Sequence, residues 1–154
     1  MAALDSRRGI ADERGRPWHG KIPGDITYYR SKIATGVVLM GYGLYEVLSQ
    51  PYPGGTNYVA TTKDAPLRDG FMAVHDVRAF LKDATEDVWN VGGAGLYSST
   101  IDFADELYLT KIQADFHCTK YFPVYETAFR LVSESEPMTE NGVTYTFCVY
   151  TRAK

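Results

Sequence analysis

The chain is predicted to be an α/β protein, with a central mixed β-sheet flanked by helices in three layers and closed by a C-terminal antiparallel hairpin. Three observations carry that prediction. Apolar strands alternate with short helical stretches along most of the 154 residues. Val37-Val38-Leu39-Met40-Gly41 is a continuous, largely β-branched run, as a strand covered on both faces requires. Residues 129–133 and 143–150 read as the arms of a hairpin that turns at Glu140-Asn141-Gly142.

Each element has a local reason. Residues 1–4 read as a short strand. Residues 5–20 read as a polar surface loop, in which Ile10 and Trp18 need something to pack against. Pro23-Gly24-Asp25 precedes a helix over 26–33, where Ile26, Tyr29 and Ile33 recur at helical spacing and Asp25 suits an N-cap. After the strand at 37–41 comes a short helix at 44–48, stopped by Pro51-Tyr52-Pro53-Gly54-Gly55. Strands are expected at 57–61 and 70–74. Asp76 is placed to cap a helix reaching 84, with Val77, Phe80 and Leu81 inward. A strand at 87–91, a short helix at 95–98 and an alternating strand at 106–112 follow.

Composition narrows the function classes. Forty-five percent apolar and 23% charged residues fit a single folded domain over 1–154. The net charge of −3 is interspersed, and Arg7, Arg8, Arg14 and Arg16 are diluted by Asp5, Asp12 and Glu13, so no nucleic-acid partner is expected. No apolar run approaches the ~18–20 residues of a membrane span, and the start lacks a secretory pattern, so a cytoplasmic monomer is expected. Cys118 and Cys148 show no CxxC spacing and are expected as reduced thiols; His19, His75 and His117 are too scattered for a metal site.

Ligands in such folds bind beyond the carboxyl ends of central strands. Leu4-Asp5, Met40-Gly41 and Val91-Gly92-Gly93 are those ends. In Val88-Trp89-Asn90-Val91-Gly92-Gly93-Ala94-Gly95-Leu96-Tyr97 a strand breaks into paired glycines and then opens a helix. Without a Cβ, Gly92 and Gly93 admit a bound group close to the backbone, and the following N–H groups suit an anion. By itself the junction is weak evidence, since such a junction is often only a tight turn and about one in three would carry a ligand.

Other stretches occur in a telling order: Ala2-Ala3-Leu4, Pro17-Trp18, Pro23-x-Asp25, Val38-x-Met40-Gly41, Pro51-x-Pro53-Gly54, Val91-Gly92-Gly93-x-x-x-Tyr97, Leu107-Tyr108-Leu109-Thr110 and Tyr121-Phe122-Pro123. Together they resemble dihydrofolate reductase over nearly the whole chain. The resemblance implies reduction of 7,8-dihydrofolate, or a related dihydropterin, by hydride transfer from NADPH, with NADH as the alternative donor. It implies that Asp25 anchors the pterin, supported by Thr110 and Trp18. A carboxylate accepts from the two adjacent donors of a 2-amino-pyrimidinone edge. Ala2, Ala3, Ile26, Tyr29, Leu48, Tyr52 and Tyr97 would complete the substrate wall. The cofactor would meet Ala3, Ile10, Gly41, Tyr42, Gly43, Leu44, Thr61, Thr62 and Lys63, then Val91, Gly92, Gly93, Ala94, Gly95, Leu96 and Tyr97. The segment 9–16 would resemble the lid over the nicotinamide.

The chain departs from that pattern at three places. Tyr42-Gly43-Leu44 stands where the family commonly has Arg, a polar residue and Thr for the cofactor phosphates. Gly55 stands where it has the Arg that grips the folate tail, so a tail-less pterin is favoured. Only four residues form the first strand before the loop. In the lid, Ala11 replaces a common Gly, and Thr119 replaces a supporting acid. Two alternative readings share parts of the pattern: a vestigial pterin- or nucleotide-binding relative, and a reductase resembling the pyrimidine reductase of riboflavin synthesis.

Overall fold

A computed structural model describes residues 1–154, which fall into two compact units: Met1–Thr27 with Ala104–Lys154, and Tyr28–Phe103. The first unit holds β1 (Ala2–Leu4), β2 (Gly9–Ala11) and the start of α1 (Pro23–Ile33). It continues with β7 (Glu106–Ile112), β8 (Lys120–Tyr121), β9 (Phe129–Glu134), β10 (Met138–Glu140) and β11 (Val143–Arg152). The second holds β3 (Val37–Gly41), α2 (Tyr42–Val47), β4 (Asn57–Ala60) and β5 (Phe71–Val74). It ends with α3 (Val77–Lys82), β6 (Val88–Asn90), α4 (Ala94–Thr100) and a 3₁₀ turn at Ile101–Phe103.

In the first unit the sheet order is β1-β7-β11-β10, with β9 also on β11. β1 runs parallel to β7 and β11 antiparallel to it, so the sheet is mixed, as expected. That register sets Thr110 between Ala3 and Phe147. The expected alternation of Glu106–Ile112 holds for buried Leu107 and Leu109, while buried Thr110 and Ile112 lie on the opposite face of the strand. Trp18, Ile22, Ile112, Cys118, Val143 and Tyr145 form its apolar cluster.

The C-terminal hairpin differs from the sequence expectation. Its near arm is β10, not residues 129–133, which pair as β9 with the far end of β11. Asn141 and Gly142 turn with positive φ, the signature of a two-residue hairpin loop. Residues 5–20 also carry more structure than a surface loop. β2 pairs with β8 in a two-stranded ribbon, and Asp12 and Gly15 close a turn. The Asp5 carboxylate organises this entry by accepting from the backbone N–H of Arg7, Gly9 and Phe116 at 2.9, 2.7 and 3.1 Å. Burial opposes its ionisation, but those donors outweigh it and hold its pKa below the usual carboxylate value.

In the second unit the order is β5-β4-β3-β6, parallel throughout. Val38, Leu39 and Met40 are fully buried, which is the reason their strand carries no polar alternation. Buried Asn57 ties down the loop before β4: it accepts from Tyr52 N–H at 3.0 Å and donates to the carbonyls of Tyr52 and Gly55 at 2.9 and 3.2 Å. Asp76 caps α3 by accepting from Ala79 N–H, as expected, although the helix stops at Lys82. Its inward residues Val77, Phe80 and Leu81 are half-buried. Both cysteines are buried free thiols, and burial raises the Cys118 pKa to about 12. No helix is long and apolar enough to cross a membrane.

Candidate functional site

In the first unit the site centres on Asp25, 5% exposed, whose Oδ1 accepts from Thr110 Oγ1 at 2.6 Å. Asp25 is not an N-cap. The helix begins at Pro23, so Asp25 lies within its first turn, and its side chain is committed to Thr110 of β7. Burial raises its pKa most; Glu140 adds to that rise, while the Thr110 hydrogen bond and the charge of Arg16 oppose it. The outcome is a buried carboxylate with one oxygen oriented by a hydroxyl. It sits in a sheet register that brings Ala3 beside Thr110, with Ala2 opposite Leu109.

Trp18 is 2% exposed and packs in the apolar cluster, with Phe116 edge-on at 5.4 Å. The expectation that its indole needs a packing partner is met. Its Nε1–H is a buried donor without an acceptor in the protein. Buried N–H groups are rarely left so, which marks this one for a ligand or a bound water. Ile10 is buried in β2. Thr119 donates to Glu13 at 2.9 Å, so the acid lies in the 9–16 segment and the hydroxyl on Thr119. This inverts the polarity that the resemblance led one to expect.

The second unit holds a glycine-lined turn. The Gly92–Gly93 peptide is cis. Gly41 N–H donates to Gly92 O at 2.6 Å, and Gly92 N–H to Asn90 Oδ1 at 3.0 Å. A Cβ on Gly92 would lie 2.5 Å from the Tyr97 ring, so only glycine lets that ring close over the turn. Tyr97 and Leu96 are buried while Gly93 and Gly95 are exposed. A Cβ at Gly43, Gly93 or Gly95 would meet nothing within 4 Å, so the space beside the backbone there is open. The first intrahelical bond of α4 is Tyr97 N–H to Gly93 O at 2.9 Å, which leaves the N–H groups of Ala94, Gly95 and Leu96 without helical acceptors.

Tyr42 and Gly43 open α2, with Leu44 half-buried behind them. The Lys63 ammonium stands 4.1 Å above the Tyr42 ring. Lys63 N–H donates to Thr61 Oγ1 at 3.0 Å, and Thr62 is exposed beside it. The structure thus places a cation where the sequence lacks the family arginine. These features fit a dinucleotide: open glycine backbone for the pyrophosphate, an aromatic face and one lysine.

Tyr29 meets Tyr52 edge-on at 5.6 Å. Leu48 is the C-cap of α2, and its carbonyl accepts from Arg68 at 2.8 Å; Ile26 is half-buried. Arg68 spends its guanidinium on the carbonyls of Tyr45 and Leu48 and on the Tyr45 ring, so it is not a tail-binding arginine. Gly55 explains why none stands at that position: a Cβ there would run into the carbonyl oxygen of Gly36. Gly55→Arg is therefore expected to destabilise the fold by about 2 kcal/mol or more, read by urea denaturation, without improving substrate affinity. Glu140 and Tyr145 carry no local signal, because Gly24 lies 116 residues before Glu140; Asn57 and Asn90 fix their own turns within the second unit through partners two to ten residues away.

Comparisons with known proteins bear on the family and the fold. The family described as dihydrofolate reductase matches residues 1–152. Dihydrofolate reductase of Bacillus subtilis (strain 168) is 29% identical over 153 residues, covering 96% of this chain and 90% of the relative. Dihydrofolate reductase type 3 of Salmonella typhimurium is 30% identical over 127 residues, covering 81% and 77%. A solved dihydrofolate reductase from Enterococcus faecalis, complexed with NADP(H) and RAB-propyl, superposes with a TM-score of 0.86 at 25% identity, covering 99% of this chain and 94% of that one. The mixed strand pairing, the glycine turn and a match running almost end to end have one reading: the chain belongs to the dihydrofolate reductase family.

Proposed function

We propose that this chain reduces 7,8-dihydrofolate to its tetrahydro form with NADPH. The observation that carries the reading is buried Asp25, held by Thr110 beside Ala3, in a chain matched by the family almost end to end. NADPH, when bound, supplies the hydride to C6 of the pterin. Asp25 accepts from the 2-amino group and the neighbouring ring N–H, a charge-assisted pair that fixes the ring in its plane. Thr110 holds the carboxylate rotation. The negative charge also favours a heterocycle protonated at N5, with water carrying the proton in. The unpaired Trp18 N–H suits a donor to that water. Gly43, Gly93 and Gly95 would receive the pyrophosphate, Tyr42 would stack on the adenine, and Lys63 would offer charge to the 2′-phosphate.

The Gly55 position supports a site that reads the pterin and selects weakly for the glutamate tail. The test is steady-state oxidation of NADPH with dihydrofolate, followed by nicotinamide absorbance, and repeated with a tail-less dihydropterin. Turnover of both is expected, with kcat/KM values within about tenfold of each other. Lys63→Ala is expected to raise KM for NADPH about tenfold and leave KM for NADH unchanged. No oxidation of either dinucleotide would overturn the reading.

A further inference from the structure

The end of β10 makes contacts that the proposed reaction does not use. Glu140 Oε1 accepts from Gly24 N–H at 2.9 Å and also from the Tyr145 hydroxyl in a short contact. Next to it, Asn141 Nδ2 donates to the carbonyl of Lys21 at 2.8 Å. The β10–β11 turn therefore grips residues 21–24, the segment that delivers Asp25.

The need for that grip is set by the helix start. The first N–H groups of a helix have no intrahelical acceptor, and a polar residue at the N-cap normally supplies one. Here the residue before Pro23 is Ile22, which is buried in the apolar cluster and whose side chain has no oxygen to offer. Pro23 has no N–H, and Asp25 N–H finds Ile22 O at 3.0 Å. The remaining donor is Gly24, and Glu140 accepts from it across 116 residues of sequence. Glycine is what allows the approach: a Cβ on Gly24 would meet the Tyr145 hydroxyl and lie 2.7 Å from Glu140 Oε1.

We propose that Glu140 is a positioning residue for Asp25, clamping the first turn of α1 and presenting a second negative charge to the substrate-anchoring carboxylate. This rests on the reading that Asp25 holds the pterin. The groups facing Asp25 are the Thr110 hydroxyl from β7, Arg16 from the lid segment, Glu140 from β10 and Tyr145 from β11. Thr110 and Arg16 favour its ionised form, and Glu140 opposes it. Burial first, and then Glu140 and Asp25, push the Tyr145 hydroxyl upward, so it stays a donor to Glu140. Glu140 thereby limits how strongly the site retains a bare carboxylate, while its backbone contact fixes where that carboxylate stands.

Two variants separate position from charge. Glu140→Gln keeps a carbonyl oxygen for Gly24 and Tyr145 and removes the charge; Glu140→Ala removes both. KM and kcat for dihydrofolate are measured alongside titration of the Asp25 carboxyl carbon by NMR. Glu140→Ala is expected to raise KM about tenfold at nearly unchanged kcat, and Glu140→Gln to return KM to within about threefold of the parent. The Asp25 midpoint is expected to fall in both, because a neighbouring negative charge is gone. Parental KM in Glu140→Ala, or an Asp25 midpoint unmoved in Glu140→Gln, would overturn the proposal. The titration needs no turnover, so an inactive parent would refute the proposed reaction and leave the role of Glu140 to be decided by the midpoint.

Discussion

Asp25→Asn is expected to lower kcat/KM for dihydrofolate by about 100-fold or more while raising the melting temperature at neutral pH. The kinetic loss follows from replacing an acceptor by an amide NH₂ that faces the donors of the heterocycle, leaving buried polar groups opposed rather than paired. Thr110 is still satisfied, because the Asn carbonyl accepts its hydroxyl in place of Oδ1. The gain in stability has the opposite origin. Burial raises the Asp25 pKa above its ordinary value of 3.8, so the folded state binds this proton more tightly than the unfolded state. Its contribution to stability is full below 3.8 and is lost as pH rises through the folded-state pKa. A neutral amide does not lose it. The melting-temperature advantage of Asp25→Asn should therefore grow from acidic to neutral pH in thermal melts. Parental turnover in the variant, or no pH dependence in the advantage, would count against a buried anchoring carboxylate.

Gly92→Ala is expected to destabilise the protein by about 2–4 kcal/mol and weaken NADPH binding at least tenfold. Two costs add. Gly92 has φ of 89°, a conformation that an L side chain adopts at about 1–2 kcal/mol. The new methyl would also stand 2.5 Å from the Tyr97 ring, so the ring must turn away or the backbone must open. Neither stays local. Gly92 O accepts from Gly41 and its N–H donates to Asn90, so movement reaches the ends of both β3 and β6. Urea denaturation reads the first effect, and titration with NADPH by quenching of protein fluorescence reads the second. Undiminished NADPH affinity would show that the glycine turn does not hold the cofactor.

Much of the scaffold was legible locally. Glu106–Ile112 matches its expected bounds because alternation at period two is written in consecutive residues. Val37–Gly41 matches because a strand buried on both faces has no polar position to confuse it. Order and spacing of short stretches were enough to reach Asp25, Thr110 and the glycine turn. The near arm of the hairpin was misplaced because Met138-Thr139-Glu140 is too short and too polar to show periodicity, whereas residues 129–133 show it plainly. Asp25 resembled a cap because acids are common before a helix; its partner lies 85 residues away. The absent tail arginine was visible in the sequence, but its cause, the carbonyl of Gly36 against Gly55, was not.

The sequence by itself determined most of the strands and helices, the family and which acid to propose as the anchor, because each is encoded in neighbouring residues or in ordered motifs. Only the tertiary structure decided how that acid is held: by Thr110 on one side and by Glu140, acting through Gly24, on the other. The physical reason is that caps, close approaches and charge pairs join groups that are near in space and far apart along the chain. Their energies depend on distances that no local pattern records.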